Sequence, residues 1–272
     1  MKIKDKLRLF TAQKRGLLAT NFYNLETLHG VLQAAADLKE PIILQLTQSS
    51  IEYMGLETAV SMGRASLNEF GVEGWIHLDH GGSVAMIQSC LDAGFDSVMI
   101  DGSELTFEEN IRITSEVVKL AESYGVHVEA ELGYVAKLGQ SYSTDQFTQP
   151  KEAQIFVDST GIDALAVAIG SAHGFYKKEP NLDLELLSRI AAATAATLVL
   201  HGGSGLPSEQ VRKAISRGIC KVNLATEIKN IFMKSLKGTL ILNDEIDLRK
   251  VFPKATKQIT ELVKEKLKVV NS

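Results

Sequence analysis

From Gly16 onward, short runs of strand-forming apolar residues alternate with longer segments whose apolar positions recur every three or four residues. The first pattern suits a buried strand and the second a helix with one apolar face. Residues 16–23 predict a first strand and 25–38 the helix behind it. Pro41 opens a second strand that runs to Thr47, and 58–70 predicts a helix that Gly71 caps. Residues 75–78 predict a third strand, inside the run Gly-Trp-Ile-His-Leu-Asp-His-Gly (74–81), with a helix over 84–93. Further strand and helix pairs follow at 96–101 and 107–124, 126–132 and 152–159, 164–170 and 182–192, 197–201 and 207–217, and 221–225 and 226–236. One long irregular segment, 133–150, interrupts the alternation. The lysine-rich end, 245–270, predicts a helix whose stripe of Ile259, Leu262, Val263 and Leu267 covers the body or a partner subunit.

Eight strands alternate with eight helices, and the strands are nearly all apolar, as parallel strands covered on both faces must be. This predicts an α/β fold, a (β/α)8 TIM barrel, as a single domain over 1–272 with a helical extension at about 245–270. The apolar share of 45% and charged share of 23% are ordinary for a globular chain. A net charge of −4 offers no field for nucleic acid or an anionic membrane, so an anionic substrate needs a local site. Cys90 and Cys220 lack a CxxC spacing and read as buried thiols in a reducing cytoplasm. Residues 1–10 lack the apolar core of a secretory signal. The most apolar run, 190–200, is broken by Thr194 and Thr197 and is too short to cross a bilayer. A cytoplasmic location is therefore expected.

The polar residues at strand ends carry the chemistry. His29 falls inside a helix, and His127 at the start of a strand, the end of a barrel associated with stability. His77 reads as a core histidine. His80, His173 and His201 follow the third, sixth and seventh strands at the C-terminal rim, where barrel enzymes place their sites. Three histidines converging from separate strands, with a position left open, suit a catalytic zinc. Asp79 and His80 are neighbours and would face opposite sides of a regular strand. Both reach one site only if the strand has begun to turn, which Gly81 would allow. Asp101 and Glu131 end the fourth and fifth strands, as partners of a ligating histidine or as alternative metal ligands. His201-Gly202-Gly203-Ser204-Gly205 and Asn223-Leu224-Ala225-Thr226 end the seventh and eighth strands. A glycine-rich turn meeting a helix N-terminus there suits a phosphate.

Six motifs, in order and spread over nearly the whole chain, give a family resemblance. They are Leu-Asp-His-Gly (78–81), Ser-Val-Met-Ile-Asp-Gly-Ser (97–103), Val-Glu-Ala-Glu-Leu-Gly (128–133), Ala-Val-Ala-Ile-Gly-Ser-Ala-His-Gly (166–174), Leu-Val-Leu-His-Gly-Gly-Ser-Gly (198–205) and Lys-Val-Asn-Leu-Ala-Thr-Glu (221–227). The chain resembles the class II, metal-dependent ketose-bisphosphate aldolases of the tagatose- and fructose-bisphosphate branch. The resemblance implies zinc on His80, His173 and His201, or another divalent cation in its place, with Asp101 and Glu131 lining an alternative metal position. It implies Asp79 as acid/base on the C4 hydroxyl of the ketose. Gly174, Gly202, Gly203, Ser204, Asn223, Leu224, Ala225 and Thr226 would line the phosphate end, with room for a monovalent cation nearby. Asn21 and Thr47 match positions near the substrate. A phosphorylated ketose substrate and a homodimer or homotetramer follow from the same resemblance.

The loop after the fifth strand departs from the family. Members carry a glutamate there that moves the proton at C3, whereas the only acid in 133–150 is Asp145. Asp145 is then the candidate base, from a loop able to close over substrate. Two other readings stay open: a non-catalytic sugar-phosphate-binding or partner subunit on the same scaffold, and an aldolase or epimerase for a different phosphorylated sugar.

Overall fold

The computed structural model describes residues 1–135, 146–176 and 180–272. In chain order the elements are α1 (Ile3–Ala12), β1 (Leu17–Asn21), α2 (Leu25–Leu38), β2 (Ile42–Thr47), α3 (Gln48–Met54), α4 (Leu56–Phe70), β3 (Gly74–Gly81), α5 (Val84–Asp92), β4 (Ser97–Ile100) and α6 (Phe107–Glu122). There follow β5 (His127–Leu132), α7 (Pro150–Thr160), β6 (Ala164–Val167), α8 (Leu184–Ala193), β7 (Thr197–Leu200), α9 (Ser208–Ser216), β8 (Ile219–Leu224), α10 (Thr226–Leu242), α11 (Leu248–Val251) and α12 (Pro253–Val270). The strands close in sequence order, each parallel to its neighbours, and β8 pairs with β1. This is the (β/α)8 barrel.

Local chemistry sets the helix ends. Asn24 and Thr27 form a reciprocal capping box at α2, and Ser83 caps α5. Gly71 and Gly161 end α4 and α7 in the left-handed region. Where sequence and structure differ, the cause is local. The strand expected over 164–170 stops at Val167, because the Ala168 N–H turns to Thr148 Oγ1 at 2.8 Å. Thr47 does not simply end a strand: its hydroxyl accepts from Ser50 N at 3.2 Å and starts α3, an element outside the predicted alternation. The tail expected as one helix is two, since Pro253 starts α12 anew.

α1 was also outside the predicted alternation. Its Ile3, Leu7 and Phe10 pack on Leu17, Ala19, Ile43, Trp75 and Cys220 at the N-terminal end of the barrel, which they close. α12 lies against α2, α9 and β1, and α10 packs against α12. Outside the sheet, one continuous apolar layer joins strands to helices. Inside it the alternate strand positions are largely polar and buried: Asn21, Gln45, His77, Asp79, Ser97, His127, Glu129, Glu131, Lys221 and Asn223. No helix among the described residues is long and apolar enough to cross a membrane.

Candidate active site

The C-terminal end of β3 makes the site possible. The register with β4 shifts between Leu78 and Gly81, and His80 itself adopts φ 54. The turning residue is thus His80, not Gly81 as the sequence suggested. Gly81 has another reason to be glycine, because a Cβ there would meet Met99 O at 2.6 Å. A left-handed non-glycine residue costs on the order of 1–2 kcal/mol. That distortion lets adjacent residues serve one site.

Asp79 lies inside the barrel, held by three amides from three strands. Asn21 Nδ2 donates to Oδ2 at 3.1 Å, while Asn223 Nδ2 at 3.2 Å and Gln45 Nε2 at 3.3 Å donate to Oδ1. Burial alone would push the carboxyl up, but His80, His201 and Lys221 outweigh that and hold it below its usual value. His80 Nε2 is 4.0 Å away. On the other side of that ring, Nδ1 pairs with Asp101 Oδ2 at 2.7 Å, and Asp101 accepts from the Ser103 N–H and hydroxyl.

His201 follows β7, fully buried, with Nδ1 3.1 Å from His80 Nε2 and 3.5 Å from Glu131 Oε2. His173, six residues past the end of β6, completes the group. Its ring centre is 5.0 Å from that of His80 and 5.7 Å from that of His201. One nitrogen from each of the three lies within 4.8 Å of the others, and His80, Asp101 and Glu131 form a second such group.

The donor set fits a divalent cation. Glu131 Oε2 and His173 Nε2 are buried with no hydrogen-bond partner among the described residues. Unsatisfied buried polar atoms are costly and call for a ligand. The acids beside His80 favour positive charge there: burial would lower the ring, yet Asp79 and Asp101 outweigh it and raise it to about 10. Burial pushes Glu131 up to about 8 and His173 down to about 3. Imidazoles and carboxylates around an open position are ligands for zinc and its first-row neighbours.

The phosphate candidates form one wall. Gly202 has φ 70, and a Cβ there would collide with Ala172 O, so only glycine lets the β6 and β7 loops meet. Tyr176 fastens them, donating to Gly202 O at 2.8 Å and accepting from Ala172 N at 3.0 Å. Gly174 is also left-handed, at φ 95. Gly203 N donates to Asn223 O at 3.0 Å. Ser204 Oγ accepts from Glu227 N at 3.3 Å, which joins the glycine loop to the start of α10. Leu224 ends β8, Ala225 lies at the N-cap of α10 without a side-chain cap, and Thr226 is its first residue. Glu227 occupies the Gly205 N–H at 2.6 Å, and Lys266 of α12 neutralises it at 2.8 Å.

The structure brings Asp79, His80, Asp101, Glu131, His173, His201, Asn21 and Asn223 together. Thr47 stands beside Asp79 in the sheet register, but its hydroxyl bonds to Ser49 and Ser50. Asp145 lies outside the described residues. Among the described residues on either side of it, Tyr134 N donates to Gln146 O at 2.9 Å. Gln45, Glu129, Lys221, Tyr176 and Glu227 were not singled out from sequence. A signal existed for the first three: each is a polar strand residue two positions before another, Thr47, Glu131 and Asn223, hence on the same face.

Known proteins share this architecture. The model of the class-II fructose-bisphosphate aldolase family matches residues 1–272. A probable fructose-bisphosphate aldolase of Bacillus subtilis is 42% identical over 272 residues, covering 97% of this chain and 95% of that one. The crystal structure of the YdjI aldolase of Escherichia coli K12 has a TM-score of 0.89 at 34% identity, covering 98% of this chain and 96% of its own. Fructose-bisphosphate aldolase of Campylobacter jejuni, at 20% identity, matches in fold with a TM-score of 0.86 over 98% and 93% of the two chains. The fold is the (β/α)8 barrel of these lyases. The chain belongs to the class-II fructose-bisphosphate aldolase family. It is an aldolase of carbohydrate metabolism, from a family that is generally metal-dependent.

Proposed function

We propose that this aldolase cleaves a ketose bisphosphate, such as fructose or tagatose 1,6-bisphosphate, to dihydroxyacetone phosphate and an aldehyde. The observation that carries the proposal is the meeting of Asp79 with His80, His173 and His201 at the C-terminal rim. The three histidines would hold zinc or a similar divalent cation, with Asp101 and Glu131 lining an alternative position. Held there, such a cation would supply Lewis-acid polarisation of the ketose carbonyl and stabilise the negative charge that cleavage leaves.

The chain's own groups do the rest. Asp79, ionised and held by three amides, takes the C4 hydroxyl proton as the C3–C4 bond breaks, and returns it in the reverse reaction. Gly202, Gly203 and Ser204 and the start of α10 hold the phosphate, with Gly174 alongside and room for a monovalent cation. That remote hold orients the reacting carbons. Asn21, Thr47 and Asn223 border the sugar. Asp145, the one acid of its loop, moves the proton at C3. If it does, Asp145→Asn should slow hydrogen exchange between dihydroxyacetone phosphate and solvent with metal still bound, and unchanged exchange would remove it from the mechanism.

The whole chain acts as one catalytic domain, and copies assemble as a homodimer or homotetramer. Assembly is supported by the exposed Leu240, Ile241, Leu242, Ile246 and Leu248 where α10 leads into α11. The activity is tested with purified protein and fructose or tagatose 1,6-bisphosphate. Cleavage should vanish on chelation and return with zinc or cobalt. Full activity in the chelated protein would contradict the proposal.

A further inference from the structure

We propose that Glu129 and Lys221 are positioning residues, an ion pair inside the barrel that fixes which nitrogen of His201 faces the metal. The inference rests on reading His80, His173 and His201 as metal ligands. Glu129 on β5 and Lys221 on β8 are buried inside the barrel. Lys221 Nζ donates to Glu129 Oε2 at 2.7 Å, and Glu129 Oε1 lies 3.1 Å from His201 Nε2. The opposite nitrogen, Nδ1, faces the three-imidazole centre, 3.1 Å from His80 Nε2.

A neutral imidazole has one N–H and one lone pair. With the hydrogen on Nε2, His201 donates to Glu129 and offers the Nδ1 lone pair to the cation. The other tautomer would set a lone pair against the carboxylate and an N–H against the cation. Asn223 Nδ2 also lies 3.1 Å from Nε2, but an amide nitrogen cannot accept, so it offers no acceptor to an N–H there; it donates to Asp79 at 3.2 Å. Glu129 is therefore the acceptor that chooses the tautomer.

Lys221 fixes Glu129 in turn, and its own surroundings have a single donor direction. Lys221 Nζ is 3.1 Å from His77 Nε2, His77 Nδ1 is 2.9 Å from Ser97 Oγ, and Ser97 Oγ is 3.0 Å from His127 Nδ1. An ammonium can only donate, so His77 accepts at Nε2, donates from Nδ1 to Ser97, and Ser97 donates to His127. One buried cation sets hydrogen positions both toward the rim and toward the closed end.

A pair that merely stabilised the barrel interior would have the same neighbours, so the test must separate the two roles. Glu129→Gln keeps the shape. Lys221 still demands an acceptor, so the amide oxygen turns to it and the NH2 turns to His201 Nε2. That selects the Nδ1–H tautomer, which cannot ligate. Adding Lys221→Met lifts the demand and lets the amide oxygen face His201.

The readouts are Co2+ affinity of folded, metal-free protein, followed by visible absorption, and its melting temperature. Glu129→Gln should bind Co2+ roughly 10- to 100-fold more weakly than wild type, the usual effect of losing a partner of a metal-bound histidine. The double variant should regain most of that affinity, although it has lost more buried polar contacts. Equal affinity in wild type and Glu129→Gln, or no recovery in the double variant, would overturn the proposal. So would a lowered melting temperature with affinity unchanged. If Glu129→Gln does not fold, two double variants decide. Glu129→Gln with Lys221→Met should bind Co2+ about ten-fold or more tightly than Glu129→Leu with Lys221→Met, by the same comparison, and equal binding overturns it. Wild type that takes up no Co2+ overturns the ligand reading, and this inference with it.

Discussion

The two faces of the barrel sheet obey different rules. Its outer face joins the helices through one apolar layer, fully buried at residues such as Leu44, Leu78, Val98, Leu165 and Leu200. Its inner face holds a buried lysine, acids, histidines and amides from the same strands. Barrel interiors are ordinarily filled by branched aliphatic residues. Here the aliphatic filling is confined to two small groups, one around Trp75 under α1 and one of Met99, Ala164, Ala166 and Val199. The outer face supplies stability through area removed from water. The inner face gives up such area for groups that must satisfy one another, and leaves some for a ligand to satisfy. Stability and chemistry are thus assigned to opposite sides of single strands.

Substitutions on the two faces should fail in different ways. His201→Ala opens the inner face at its centre and should abolish both metal uptake and cleavage. Metal analysis beside a turnover assay checks this, and a variant that keeps both would remove His201 from the ligand set. Asp79→Asn should keep metal and fold yet lose roughly two to four orders of magnitude in cleavage rate, the share of a positioned acid/base. Near-normal turnover would exclude it from that role.

In the outer apolar layer, Phe156 of α7 is fully buried. Phe156→Ala should cost about 3–5 kcal/mol of stability in denaturant melts. Turnover per folded molecule should stay unchanged, and a large fall in it would blur the division. The smallest effect belongs at the phosphate wall. Gly202→Ala meets Ala172 O and a left-handed backbone. It should raise KM by roughly ten-fold, about 1.4 kcal/mol, with kcat little altered.

The same division decides what could be read from sequence. The outer face writes itself as apolar runs, so the eight strands and the barrel were legible; α1 was missed, and the other differences arose where a side chain or proline intervened, at Thr148, Thr47 and Pro253. The rim positions of His80, His173 and His201 followed from the strand ends. The turn after the third strand was expected at Gly81; that His80 makes it was not legible, because glycine is the more usual left-handed residue and stands next to it. Gln45, Glu129 and Lys221 were overlooked because a polar residue in the middle of a strand, away from the rim, has no evident role until its partner strands are known. Lys221 finds Glu129 across 92 residues of chain, and no local pattern encodes such a meeting.

Lys221 also offers the most direct test of the account. A lysine inside the barrel of an aldolase is where a covalent, Schiff-base mechanism would be sought. Its ion pair with Glu129 argues instead for a structural cation below a metal site. Purified protein should be incubated with dihydroxyacetone phosphate, treated with borohydride and analysed by mass spectrometry, with and without prior chelation. The account predicts no adduct in either sample, together with cleavage that chelation abolishes and zinc restores. A trapped adduct on Lys221, with cleavage that survives chelation, would contradict it.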